Sequence, residues 1–169
     1  MLTTSPWPDR CHEPRPTFRR HLYALELATG KLVWKFDAGG EIESHPAYQD
    51  GVLFITAEES KSLFALNATT GEQLWVYAGA KAELNGSPSL SKDYVYFGSN
   101  DNFLYAVARL TGEFKFKIET CGNVFSSAAI ADNGMIYFTC YTGSSDSDGA
   151  RRGVGKAYAV DPSKHISAA

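Results

Sequence analysis

The sequence predicts an all-β protein, a partial β-propeller of about three four-stranded antiparallel blades. One observation is a recurring phrase: an apolar run, a Thr-Gly pair and a second run that ends in a large aromatic residue. Its glycines are Gly30, Gly71 and Gly112, each 41 residues apart, and a fixed period of this length is typical of repeat architectures. A second observation is composition, because 15 glycines and an aromatic share of 13% in 169 residues favour strands over helices.

Each copy of the phrase predicts a β-hairpin. The copies cover residues 22–34, 63–75 and 104–116. Glycine tolerates the positive φ that a tight or bulged turn requires, so the Thr-Gly pair predicts the turn and the flanking runs predict its two strands. We expect the final aromatic residue to bury on the order of 150–250 Å² against the adjacent blade.

Two further strands are predicted between successive hairpins. Each period has a short segment of small residues and then a strongly apolar run. The small segments are 44–47, 86–89 and 126–129, and the apolar runs are 51–56, 93–98 and 134–139. Small residues suit an innermost strand that is crowded near the axis, while an apolar run without alternation suits a second strand that is sandwiched between blades. Four short strands per period describe a propeller blade.

The same period predicts the domain organisation. Residues 1–20 hold four of the seven prolines and no regular period, so we predict a Pro-rich extended arm there. The blades occupy residues 21–161, and a C-terminal tail occupies residues 162–169. The chain enters with two outer strands, completes two blades over about 43–78 and 86–119, and ends inside a third.

The spacing within the phrase resembles the tryptophan-docking motif of the pyrroloquinoline quinone (PQQ)-like β-propeller repeat family. That motif has Ala, an acid or amide two residues later, Thr-Gly, and Trp four residues after Gly. The matching positions are Ala24, Glu26, Thr29, Gly30 and Trp34 in the first copy and Ala65, Asn67, Thr70, Gly71 and Trp75 in the second. The resemblance covers roughly residues 21–161 and implies a propeller. The Gly-His and Trp-Asp pairs typical of the WD40 repeat are absent.

Later copies depart from the motif. The third keeps Ala106 and Gly112 but has Phe116 in place of Trp and Ala108 in place of the acid. A fourth begins at Ala159 and then reads Lys-His at 164–165, where Thr-Gly is expected. It begins 53 residues after the third rather than 41, and the extra residues lie within 143–155.

The resemblance raises the question of an enzyme. Quinoprotein dehydrogenases of this family hold the quinone over the axis with a calcium ion, a catalytic Asp, stacking Trp residues and, in many, a disulfide of adjacent cysteines. This sequence has no adjacent cysteines, and no acid or amide matches the calcium or base positions. We therefore predict no catalytic residue, no bound cofactor or metal, and no enzyme activity. The alternative is a fragment of a PQQ-dependent quinoprotein dehydrogenase whose active-site residues lie outside this chain.

The number of blades predicts a partner. Propellers close with roughly four to eight blades, and this chain supplies about three. An open arc would expose apolar blade faces, so we predict a protein-protein interaction scaffold or complex subunit whose open edges are covered by a protein partner or by self-association. A formal charge of −3 implies no nucleic-acid partner, and no segment has the apolar length of a membrane span. The sequence leaves the localisation open.

Four residues outside the repeat are candidate partner contacts. Trp7 and Phe18 lie in the arm. The arm could be a docking tether, but a disordered leader or a remnant of an upstream region is favoured. Arg151 and Arg152 lie in the insertion, which we expect to be a flexible surface loop. The insertion also resembles the middle of a calcium loop over residues 146–149, but its first and twelfth positions do not fit, so the surface loop is favoured.

Histidines and cysteines add no catalytic pattern. His45 is predicted on an inner strand, with a structural or solvated role, because no partner is placed by motif to work with it. The three cysteines are Cys11, Cys121 and Cys140, without CxxC spacing. A bridge between Cys121 and Cys140 is geometrically possible, but free, partly buried thiols are the favoured prediction.

Overall fold

The computed structural model describes residues 20–145 and 151–165. Within this range the chain is built of antiparallel strands joined by turns, with one short 3₁₀ turn at Pro162–Lys164, which confirms the predicted fold class. The strands are β1 (His21–Leu25), β2 (Leu32–Asp37), β3 (Ala47–Gln49), β4 (Val52–Ala57), β5 (Ser62–Asn67), β6 (Gln73–Tyr77), β7 (Ser89–Leu90), β8 (Tyr94–Ser99), β9 (Phe103–Ala108), β10 (Phe114–Glu119), β11 (Ala129–Ile130), β12 (Ile136–Tyr141), β13 (Ser144–Ser145), β14 (Arg151–Arg152) and β15 (Gly155–Val160).

These strands form successive sheets in chain order. Strands β1 and β2 form the N-terminal hairpin. The first blade has the order β3-β4-β5-β6, and the second blade has the order β7-β8-β9-β10. The partial blade is the three-stranded sheet β11-β12-β15, and β13 and β14 form a small separate hairpin. The first and second blades are meanders, because every strand in them pairs with its neighbour in sequence, and this connectivity requires only short turns. In the partial blade, β12 pairs with β15 across the insertion.

The apolar core lies between sheets. The Phe36 ring of the N-terminal hairpin meets the Phe64 ring of the first blade at 5.3 Å, edge to face. Tyr77 of the first blade meets Phe97 of the second blade at 5.8 Å. A third cluster, around Ile136, joins the second blade to the partial blade. Since each core belongs to a joint between two sheets, the described residues cover only one face of a sheet at the end of the arc.

Only the last residue of each small-residue segment lies in an inner strand, so that prediction was displaced by a few residues. Ser44 precedes β3, where its hydroxyl donates to the Thr56 carbonyl at 3.0 Å and accepts from the Thr56 amide at 3.1 Å. The Thr56 hydroxyl donates in turn to the Gly86 carbonyl at 2.8 Å. The same pair of contacts recurs in the partial blade, where the Ser126 hydroxyl donates to the Thr139 carbonyl at 3.1 Å and accepts from the Thr139 amide at 3.0 Å. Serine side chains thus replace ladder hydrogen bonds where the sheets converge.

The insertion contains a short hairpin rather than an open loop. Ser144 pairs with Arg152, and Ser145 pairs with Arg151. The segment that resembles the middle of a calcium loop, residues 146–149, lies outside the described residues. The insertion therefore leaves the sheet after β12 and returns to it at β15, which keeps the blade order intact.

Cys121 and Cys140 form a disulfide, so the prediction of free thiols was wrong for this pair. Their Cα atoms are 6.0 Å apart. Cys121 follows β10 of the second blade, and Cys140 lies in β12 of the partial blade. An isolated bridge between Asn123 and Tyr141 holds the two segments together beside the cysteines. The bond therefore joins two successive sheets, which sequence spacing alone could not establish.

Asp37 at the end of β2 gives a prediction about pH. Its carboxylate accepts from Arg20 Nε and Nη2, both at 2.7 Å, and from the Gly39 amide at 2.9 Å. The Arg20 hydrogen bonds, followed by that of Gly39, lower the pKa of Asp37 to about 2. A lowered pKa stabilises the fold above pH 3.8, and this contribution is lost as the pH falls toward 2.

We expect an NMR titration of the Asp37 carboxyl carbon to show a midpoint near 2 and Arg20→Gln to move it toward 3.8. Exposure of the pair keeps its effect on folding small. An unchanged midpoint in Arg20→Gln would show that the guanidinium does not control the Asp37 pKa.

Candidate protein-interaction surface

Trp34 joins the N-terminal hairpin to the first blade. Its indole lies on Gly71, in the turn between β5 and β6, where a methyl group built on the glycine would come within 2.6 Å of the ring. The indole N–H donates to the Ala68 carbonyl at 3.1 Å. Gly71 has a φ of 74°, a conformation that favours glycine. The position therefore needs glycine both for its backbone and for the space that the indole fills.

Trp75 makes the same joint one period later. Its indole lies on Gly112, where an added methyl group would again come within 2.6 Å of the ring. The indole N–H donates to the Arg109 carbonyl at 3.2 Å. Each joint thus combines apolar burial with a hydrogen bond from the polar edge of the ring, an arrangement that fixes the angle between successive sheets.

The acid or amide of the motif shapes the turn that receives the indole. In the first blade the Asn67 side-chain oxygen accepts from the amides of Thr69 and Thr70, at 2.8 and 3.2 Å. In the N-terminal hairpin, Glu26 accepts from the Thr29 hydroxyl. These local hydrogen bonds stabilise the turn on which the neighbouring sheet packs.

The third joint uses different side chains. Phe116 stands in place of Trp, and its ring stacks on His165 with centroids 6.0 Å apart and planes at 22°. His165 follows Ala159 by six residues, as Gly71 follows Ala65, so it occupies the glycine position of the fourth copy. In the sequence, both departures indicate only a loss of the motif. The structure shows that they meet in space, where a smaller ring faces a larger residue.

The outer face of the N-terminal hairpin is apolar and uncovered by the described chain. Tyr23 and Leu25 are 51% and 60% exposed. One period later, Phe64 and Leu66 are 8% and 0% exposed, because the hairpin covers them. Tyr23 and Leu25 therefore occupy positions that face a preceding sheet wherever such a sheet is present.

The far face of the partial blade shows the same contrast. Tyr137 on β12 is 43% exposed, whereas Tyr96, one period earlier, is buried against the partial blade. The number of blades predicts open faces but does not identify these side chains. Aligning the first and last copies with the internal ones would have identified them as core positions without a neighbouring blade.

Several predicted contacts fall outside the structural description. Trp7 and Phe18 lie outside the described residues, and the structure describes Arg151 and Arg152 only through their backbone. His45 is exposed and lies ahead of β3 rather than on it, and its amide donates to the Ser87 hydroxyl at 2.8 Å.

Three carboxylates form a cluster that the sequence analysis did not predict. Oxygen atoms of Glu41, Glu43 and Glu58 lie within 4.8 Å of one another, and the backbone amide of Glu58 donates to the Glu41 carbonyl at 2.8 Å. Hard cations bind oxygen ligands of this kind. Acidic side chains also meet on protein surfaces without a cation, so this cluster alone does not define a metal site. Within the described chain, no helix has the length and apolar character needed to cross a bilayer.

Known proteins with similar sequences include both assembly factors and oxidoreductases. The chain is 31% identical to the outer membrane protein assembly factor BamB of Shewanella oneidensis over 66% of this chain and 30% of that protein. It is 30% identical to the quinoprotein alcohol dehydrogenase PedH of Pseudomonas putida over 62% of this chain and 20% of that protein. It is 37% identical to the tetrathionate hydrolase of Acidithiobacillus ferrooxidans over 52% of this chain and 16% of that protein. The chain thus spans less than a third of the length of each of these relatives.

Solved structures show the same fold. BamB from Moraxella catarrhalis superimposes with a TM-score of 0.62 and 18% identity, over 74% of this chain and 42% of that one. The quinohemoprotein alcohol dehydrogenase ADHIIG from Pseudomonas putida superimposes with a TM-score of 0.66 and 17% identity, over 73% of this chain and 26% of that one. The family model described as outer membrane protein assembly factor BamB matches residues 16–143. The chain therefore belongs to this BamB-like family of PQQ repeat proteins, and it forms part of a β-propeller.

Proposed function

We propose that the chain is a non-catalytic propeller segment that acts as a protein-interaction scaffold within a larger polypeptide or assembly. The observation that carries this proposal is the exposure of Tyr23 and Leu25, whose counterparts Phe64 and Leu66 are buried one period later. Exposed core positions on a sheet face favour association with another protein surface. The BamB relatives support a role of this kind, since their name describes an assembly factor.

The native mass of the purified chain tests this function. A chain of 18.5 kDa that covers its open faces by association is expected to scatter light as a discrete oligomer, or to stay soluble only with a partner protein. Replacing both Tyr23 and Leu25 by serine is expected to lower the scattering mass of an oligomer toward that of the monomer. Leu110→Ser is the control, because Leu110 is also apolar and is more exposed than Tyr23 and Leu25 but lies in the turn between β9 and β10. A stable monomer at all concentrations would contradict the proposal.

A second candidate function is favoured by the quinoprotein relatives. The chain would then be a fragment of a PQQ-dependent dehydrogenase whose active-site residues lie outside residues 1–169. Titration of the intact parent protein with Ca²⁺ and PQQ distinguishes the two functions. Saturable binding of the quinone with alcohol oxidation would support the dehydrogenase, whereas no binding at micromolar quinone would support the scaffold.

A further inference from the structure

The turn of the N-terminal hairpin has the same construction as the two turns that receive indoles. Gly30 has a φ of 69°, against 74° and 71° at Gly71 and Gly112. The Gly30 amide donates to the Glu26 carbonyl at 2.8 Å, as the Gly71 amide donates to the Asn67 carbonyl at 2.8 Å. The backbone platform on which an indole docks is therefore already formed at Gly30.

No indole of the described chain occupies this platform. A methyl group built on Gly30 would meet no described atom within 4 Å, whereas one built on Gly71 would meet the Trp34 ring. Leu27 lies three residues before Gly30, as the acceptor Ala68 lies three residues before Gly71, and its side chain is fully exposed. The bare glycine and the residue that supplies the acceptor carbonyl are thus both present and uncovered in this part of the chain.

We propose that the Gly30 turn and the adjoining Tyr23–Leu25 face form a receiving site for the outer strand of a preceding PQQ-like blade. The tryptophan of that strand docks on Gly30 and donates to the Leu27 carbonyl. This inference rests on the proposed function and names the partner of the surface as a blade of the same repeat type. Its basis is continuity with the two internal joints, where an indole, a glycine with φ near 70° and a carbonyl three residues earlier occur together.

A second copy of the chain is a poorer fit to the site. Its partial blade has strands β11, β12 and β15 among the described residues, and their uncovered face presents Tyr137 and no indole. Of the three tryptophans, Trp34 and Trp75 already occupy internal joints. Only a strand with its own indole completes the contact that the Gly30 turn is built to make.

An extended chain provides the probe. A copy of residues 62–102 inserted between Arg20 and His21 adds one period of 41 residues to the full chain and preserves the register. The copied Trp75 then precedes Gly30 by 37 residues, which is the spacing between Trp75 and Gly112 in the natural chain. The insertion also supplies inner strands for the sheet of the N-terminal hairpin.

Gly30→Val blocks the site, and Gly134→Val is its matched control. Both glycines have positive φ, at 69° and 83°, and an added methyl group meets no described atom within 4 Å at either position. We expect Gly30→Val to lower the Tm of the extended chain by at least about 4 °C more than it lowers the Tm of the natural chain. Gly134→Val is expected to have the same effect in both chains. Changing the copied Trp75 to Ala should remove the additional loss caused by Gly30→Val.

Three results would overturn the inference. If Gly30→Val lowers the Tm of the natural and the extended chain equally, no indole docks on Gly30. That result would not affect the native-mass test of the scaffold function. In a second result, Gly30→Val lowers the Tm of the natural chain more than Gly134→Val does, and Trp7→Ala abolishes this difference. That result would assign the site to the arm of the same chain. In a third result, the same difference in Tm depends on protein concentration, which would assign the site to a second copy of the chain.

Discussion

Trp75→Ala is expected to lower the free energy of unfolding by about 3 kcal/mol, measured by urea denaturation. The indole contacts Phe54 at 5.7 Å between centroids, covers Gly112 and donates to the Arg109 carbonyl. Alanine removes the packing of the ring and its hydrogen bond in one step, and the joint between the first and second blades loses its anchor.

Leu74→Ala is the matched control, since Leu74 lies beside Trp75 on β6 and half of its surface is exposed. This change is expected to cost less than about 1 kcal/mol. Trp75→Phe should fall between the two, because it keeps part of the ring but loses the N–H donor. Equal effects of Trp75→Ala and Leu74→Ala would show that the indole does not hold the blades together.

Reduction of the Cys121–Cys140 disulfide is expected to lower the free energy of unfolding by about 3 kcal/mol. The bond closes a loop with a sequence separation of 19 residues, and its loss frees the unfolded chain to adopt more conformations. The measurement is urea denaturation with and without dithiothreitol. In Cys121→Ala the reductant should have no further effect, whereas Cys11→Ser should retain the full effect.

Alkylation under denaturing conditions counts the thiols independently. Of the three cysteines, one is expected to react before reduction and three after it. Three reactive thiols without reductant would contradict the disulfide. A reductant effect that persists in Cys121→Ala would show that dithiothreitol acts on something other than this bond.

The period of 41 residues made most of the fold predictable. Thr-Gly turns and apolar runs are local signals, so the hairpins around Gly30, Gly71 and Gly112 could be placed from sequence to within a few residues. The short inner strands were less predictable. Serine hydroxyls such as Ser44 Oγ hydrogen-bond to a neighbouring strand, and such contacts leave no periodic pattern.

The interaction surface was only partly predictable. Blade counting indicated open faces, but the particular residues Tyr23 and Tyr137 emerge only when burial is compared across equivalent positions. The contact of Phe116 with His165 was missed because a motif records each departure separately and does not show that two departures meet. The disulfide was missed for a related reason, since it depends on how β12 aligns with the end of β10.

The joint without an indole is also the joint that carries the covalent bond. The Phe116–His165 contact has no indole N–H donor, unlike the joints of Trp34 and Trp75, and the disulfide joins the same two sheets. The order in which the arc comes apart should therefore depend on the redox conditions around it. In oxidising surroundings the disulfide tethers the partial blade to the second blade, and after reduction only packing and hydrogen bonds join these two sheets.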